Sequence, residues 1–149
     1  MRFPLKFMLL FLLFAFGCKK SAKTKFDLLT NGTWKRYQYQ IGNAAPVSLD
    51  PCFTDDVWHF YPSKKLEVDL NGTNCGGLGI TGPILFADWN FSPSEDTLSW
   101  TISTSLETKT FKVNSIDEKE FVLYQRTDSA GRTGTDSSTI DVLNYFSKL

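Results

Sequence analysis

The chain has one histidine, His59, and its three cysteines form no C-x-x-C pair. A metal site built from Cys52, His59 and Cys75 would depend on a single mid-strand imidazole, so no metal site is expected. Asp55-Asp56 offers two carboxylates, but no spaced set of further oxygen ligands surrounds them. The sequence pairs no serine or cysteine nucleophile with His59, so no catalytic residues are assigned and the chain is not expected to be an enzyme. Gly77–Gly82 matches G-x-G-x-x-G, yet Pro83 and a strand-like run follow it. Pyrophosphate binding needs a helix N-terminus there, so the stretch reads as a loop and no cofactor is implied. An excess of charge of one sign is missing too. There are 16 basic and 16 acidic residues and no basic stripe beyond the first part of the chain, which excludes nucleic acid as a partner. No apolar run reaches the ~20 residues that span a bilayer, and no long helical pattern is present.

What is there begins with an address. Arg2 and Lys6 precede the apolar run Phe7–Phe16, and small residues follow, the order of a secretory signal peptide. The run ends in Phe14-Ala15-Phe16-Gly17-Cys18 and not in an A-x-A site. This resembles the bacterial lipobox cleaved by the lipoprotein signal peptidase. The resemblance implies a signal peptide over 1–17, lipidation of Cys18, and a tether over 18–25 containing Lys19, Lys20 and Lys23. A lipid chain beside basic residues gives stable anchoring. Without Arg2 and Lys6 the chain carries 14 basic against 16 acidic residues, a net charge of −2. The expected location is the cell envelope, attached to a membrane. Acidic residues directly after Cys18, which resemble a surface-export signal in some lineages, are missing, so a periplasm-facing position is expected.

Cys52 and Cys75 remain as an even pair in an exported chain, where a disulfide is the default expectation. Val57–Tyr61 and Lys65–Leu70 read as a hairpin turning at Pro62-Ser63-Lys64. If that ladder continues outward in register, the two cysteines come opposite each other. Such a bridge would contribute roughly 3–4 kcal/mol on the chain-entropy view. In this reading Val57, His59 and Tyr61 face one way with Leu66, Val68 and Leu70, and Trp58 and Phe60 face the other way beside Glu67 and Asp69.

The rest of the chain alternates. Asn31–Ile41, NGTWKRYQYQI, opens on Gly32-Thr33-Trp34, with Tyr37, Tyr39 and Ile41 on one side and Arg36, Gln38 and Gln40 on the other. Further strand-like runs are Ile84–Phe91, Thr97–Thr104, Lys109–Ile116, Glu120–Arg126 and Ser138–Phe146. Turn residues such as Ser92-Pro93-Ser94-Glu95-Asp96 and Asp117-Glu118-Lys119 separate them. With the hairpin this makes about eight short strands, which predicts an all-β, eight-stranded antiparallel up-and-down barrel over 26–149. Phe26, Leu28 and Leu29 are placed to cap one end, and Trp34 to plug it. A barrel of eight strands is filled by side chains or holds one small ligand.

Leu29-Thr30-Asn31-Gly32-Thr33-Trp34, followed by strands such as Asp55-Asp56-Val57-Trp58-His59-Phe60 and Asp96-Thr97-Leu98-Ser99-Trp100, resembles a lipocalin-like domain. It is closest in pattern to small bacterial lipoproteins with a Gly-x-Trp first strand. The resemblance covers Phe26–Leu149. It lacks the T-D-Y motif of lipocalins, and the late arginine that stacks on the leading tryptophan would be Arg126. It implies a small apolar ligand. Trp34, Trp89 and Trp100 either line a cavity or pack a core; a ligand site would draw on Trp89, Trp100, Phe111, Phe121, Tyr37 and Tyr39. The alternative is a structural or interaction lipoprotein with a filled barrel, meeting envelope proteins or glycans through its loops. The protein is expected to be a monomer. Asp96-Thr97-Leu98 and Asp128-Ser129-Ala130 resemble a short O-glycosylation acceptor motif.

Overall fold

The computed structural model describes residues 22–70, 82–127 and 140–149. Cys18, most of the tether, Cys75, the Gly77–Gly79 stretch and Asp128-Ser129-Ala130 lie outside the described residues. The described chain runs α1 (Lys25–Thr30), β1 (Thr33–Ile41), β2 (Val47–Ser48), α2 (Pro51–Thr54), β3 (Val57–Phe60) and β4 (Lys65–Leu70). It continues with β5 (Gly82–Phe91), β6 (Thr97–Ile102), β7 (Thr108–Ile116), β8 (Glu120–Thr127) and β9 (Ile140–Lys148). Strands β3 to β9 pair in chain order, β1 pairs with β3, and β9 pairs back onto β1. Every pairing is antiparallel. The ring β1, β3–β9 is therefore the expected closed eight-stranded up-and-down barrel, and closure removes the unpaired edges. The two-residue strand β2 joins β1 at Gln38 and Tyr39, beyond the point where β3 leaves it.

Turn chemistry sets the hairpins. Lys64 takes a left-handed conformation at φ 66°. Tyr61 N–H donates to Lys65 O at 2.9 Å and Lys64 N–H donates to Tyr61 O at 3.0 Å. This is a three-residue loop closed by a residue in the left-handed region. It fixes the register as Val57↔Asp69, Trp58↔Val68, His59↔Glu67 and Phe60↔Leu66. The facing expected for this hairpin is thereby corrected. Directly opposed residues share a face, so Trp58, Phe60, Leu66 and Val68 point inward together. Counting the turn half a residue too far along moves one strand's set to the wrong side. The ladder also stops at Val57. Asp50 caps α2 through Cys52 N–H at 3.1 Å, and Pro51 opens it. Cys52 thus sits in a short helix and not on an outward extension of the ladder, and its expected partner, Cys75, lies outside the described residues.

Strand β1 departs from strict alternation. Arg36 lies opposite Phe146 and Gln38 opposite Tyr145, with a bulge between them. A bulge inserts one residue and re-aims its neighbours. The inner face then carries Trp34, Arg36, Tyr39 and Ile41, while Tyr37 turns outward. A second bulge shifts Leu66↔Ala87 to Glu67↔Leu85, and Phe86 packs against the core.

One end of the barrel is sealed. Thr24 and Asp27 form a reciprocal capping box at the start of α1. The helix has 6 residues, too few to be stable alone; its packing against the barrel holds it. Leu29 is fully buried, and Phe26 lies 5.6 Å from the Trp89 ring. Glu95, from the β5–β6 turn, accepts from the Lys25 backbone N–H at 2.7 Å. Trp34 is fully buried under α1. Its Nε1 donates to Leu29 O at 2.8 Å, one of the carbonyls that a helix end leaves without an internal partner. Its ring meets Phe121 edge-on at 4.7 Å. The cation over Trp34 is Lys148, with Nζ 6.0 Å from the ring. Arg126 instead pairs with Asp141 at 2.9 Å on an exposed face, which corrects the expected stacking. The Lys148 side chain crosses Gly32, and a Cβ there would make its flexible end shift.

Candidate functional site

Above the sealed end the aromatic core continues as a chain of rings. Phe121 stacks on Phe146 at 4.2 Å, Phe146 meets Trp58 at 5.7 Å, Trp58 meets Trp100 at 5.9 Å, and Trp100 stacks on Phe111 at 4.2 Å. Beyond these rings, toward the end opposite α1, the barrel holds a cavity of about 260 Å³. Trp58, Phe86, Trp100, Phe111 and Phe146 form its apolar wall, with Ile102 and Leu123. Four polar side chains reach it: Arg36, Lys109, Gln125 and Asn144. The mix of aromatic wall and few polar groups suits a small organic ligand, at a volume just below the ~300–1,000 Å³ range of drug-sized sites.

The electrostatics centre on Arg36. Burial lowers its pKa, opposed by the nearby charge of Asp56. Among the described residues it has no ion pair within 4 Å; its guanidinium lies 5.9 Å from the Phe53 ring. Asp56 is pushed up, first by burial, then by Asp55 and Asp69, with Arg36 pulling the other way. Lys109 pairs with Glu107 at 3.6 Å. No carboxylate is among the described lining residues.

Of the residues expected to contact a ligand, Trp100 and Phe111 line the cavity. Tyr39 lies opposite Asn144 and so shares the inner face. Phe121 is buried beneath the cavity, under Phe146. Trp89 belongs to the sealed end: its Nε1 is shared between Lys65 O at 3.0 Å and Tyr61 O at 3.2 Å. Lys64 Nζ stands 4.8 Å from its ring. Tyr37 points outward and donates to Glu120 at 2.9 Å; burial, and then this hydrogen bond, push its pKa up to about 12. The sequence reading missed Arg36, Trp58, Phe86, Asn144 and Phe146. Trp58 was recoverable from correct hairpin counting. Arg36 and Phe86 were not, because bulges carry no short-range signal here. His59 is half-buried, opposite Glu67, with its ring stacked 6.0 Å from Tyr61.

No protein-family model and no curated relative matches the chain. Among solved structures, a lipocalin-like protein from Bacteroides uniformis ATCC 8492 is similar, with a TM-score of 0.49 and 14% identity. The match covers 82% of this chain and 99% of that one. The barrel itself rests on the hydrogen-bonded ring of strands described above.

Proposed function

We propose that the protein is a membrane-anchored cell-envelope lipoprotein whose lipocalin-like barrel binds a small apolar ligand. The observation that carries the reading is the aromatic cavity bounded by Trp58, Trp100, Phe111 and Phe146. The lipobox-like Phe14–Cys18 and the lysine-bearing tether support the anchoring part of the reading, with Cys18 as the lipidated residue. The tether precedes α1 in the chain, and α1 covers the sealed end of the barrel. Ile41, Val47, Phe53, Leu106 and Ile140 are exposed apolar side chains, and Ile41, Leu106 and Ile140 lie at strand ends or turns on the side away from α1. The protein works as a monomer on the periplasmic side, and no catalytic step is assigned to it.

The filled lower half of the barrel favours a second reading. There Trp34, Phe60 and Phe121 leave no exposed surface of note, as in an interaction lipoprotein whose barrel serves only as a scaffold. Native mass spectrometry of the purified protein, with titration of an apolar fluorescent dye, separates the two. The ligand reading expects a co-purified small molecule or saturable dye uptake that Trp100→Ala weakens. Absence of both overturns it and leaves the scaffold reading. Cys18→Ala is expected to release the processed chain from membranes; continued membrane fractionation overturns the anchor.

A further inference from the structure

Arg36 is the feature of the cavity that an apolar ligand alone does not explain. A guanidinium carries five donors in a fixed planar fork. Removing a charge from water is costly unless it is paired and hydrogen-bonded. Here the bulge at Tyr37 turns Arg36 inward, opposite Phe146, among Trp58, Trp100 and Phe146 at the cavity wall. Among the described residues no carboxylate lies within ion-pair distance of it, including Asp56, whose charge it senses. Lys109 adds a second positive group at the lining, and Asn144 and Gln125 add amide donors. A fork of this shape matches a carboxylate bidentately.

We propose that the cavity selects amphiphiles whose head is a single carboxylate, seated on Arg36 with the tail among Trp58, Trp100, Phe111 and Phe146. The inference rests on reading the cavity as a ligand site and names the chemistry of its occupant. About 260 Å³, at roughly 30 Å³ per water-sized group, accommodates a molecule of about octanoate size.

The test compares octanoate with octanol, its uncharged counterpart, on the full chain. Calorimetry and tryptophan emission supply the readouts. Octanoate is expected to bind at least about tenfold more tightly than octanol, as a charge-assisted hydrogen bond supplies. Arg36→Met is expected to weaken octanoate by about tenfold or more and to leave octanol unchanged. Arg36→Lys keeps the charge without the fork and should fall between. A melt of each variant checks folding; Arg36→Met removes a desolvated charge and is expected to melt no lower than wild type. Equal binding of the two ligands, insensitive to Arg36→Met, overturns the carboxylate inference while the apolar-ligand reading stands. Octanoate binding that survives Trp100→Ala unchanged places it on surface lysines and also overturns the inference. Failure of both ligands to bind overturns the inference together with the ligand reading.

Discussion

Replacing Trp34 tests whether the sealed end carries the stability of the barrel. The side chain is fully buried, and Trp→Ala at such a site costs about 3–5 kcal/mol. Set against the ~5–15 kcal/mol of a typical domain, that loss leaves little, and Trp34→Ala is expected to be largely unfolded or close to it. Trp34→Phe is the more informative change. It keeps an aromatic ring near Phe121, 4.7 Å away in the wild type, but removes the Nε1 hydrogen bond to Leu29 O at 2.8 Å. A buried acceptor left without its partner costs about 1–3 kcal/mol. At roughly 4 °C per kcal/mol for a domain of this size, Tm should fall by about 8 °C for a mid-range loss of about 2 kcal/mol. Trp100→Phe, at a wall that already faces open cavity, should cost less. Thermal melts by circular dichroism, with urea titrations to confirm an unchanged m value, give the numbers. A Trp34→Phe protein that melts with wild type would refute the assignment of Trp34 as the keystone under α1.

Three further outcomes are expected. Tyr37, held near 12 by burial and Glu120, should be the last of the five tyrosines to ionise in an ultraviolet pH titration. Its folded pKa lies above the ordinary 10.0, so its contribution to stability is complete below pH 10 and lost as pH rises toward 12; Tyr37→Phe should flatten the alkaline fall in Tm. Asp56 is raised by burial and by its carboxylate neighbours, so the fold disfavours its charge once pH exceeds the usual carboxylate range. Asp56→Asn should therefore stabilise the protein at neutral pH, with the gain vanishing in acid, and identical melts across that range would contradict the assignment. Cys52 and Cys75 are expected to be bridged in the exported protein. Mass spectrometry after alkylation without reduction should find both protected, and two labelled thiols would reject the bridge.

Alternation and turn residues made the eight strands, their order and the closure legible in the sequence. Gly32-Thr33-Trp34 correctly marked the first strand, and Phe26–Leu29 the cap over it. The failures share one cause, which is residue counting inside the ladders. The hairpin register depended on whether Lys64 adopts a left-handed turn conformation, and lysine has no glycine-like signature for that. The bulge at Tyr37 exchanged the faces of Arg36 and Tyr37, so a cavity-facing arginine read as lying on the side away from Tyr39 and an outward tyrosine as a site residue. The helix α2 did have a signal, since Asp50-Pro51 is an N-cap followed by proline at the first helical position. Four residues of helix are too few for any periodicity to support it. Lys148 over Trp34 and Arg126 on Asp141 are long-range pairings that local pattern does not encode.

The ring chain inside the barrel also makes the molecule its own optical instrument. Its four tryptophans divide by position. Trp34 and Trp89 lie in the sealed end, and Trp58 and Trp100 border the cavity. The latter two indoles are 5.9 Å apart at 51°, close and skewed enough for their transitions to couple, and a paired band in the far-ultraviolet circular dichroism is expected. That band should vanish if either partner becomes phenylalanine. A Trp58→Phe, Trp100→Phe protein leaves two emitters that report only on the base, whereas wild type adds a signal from the cavity half. Comparing the two spectra thus follows the base and the cavity wall as separate regions, with no label attached.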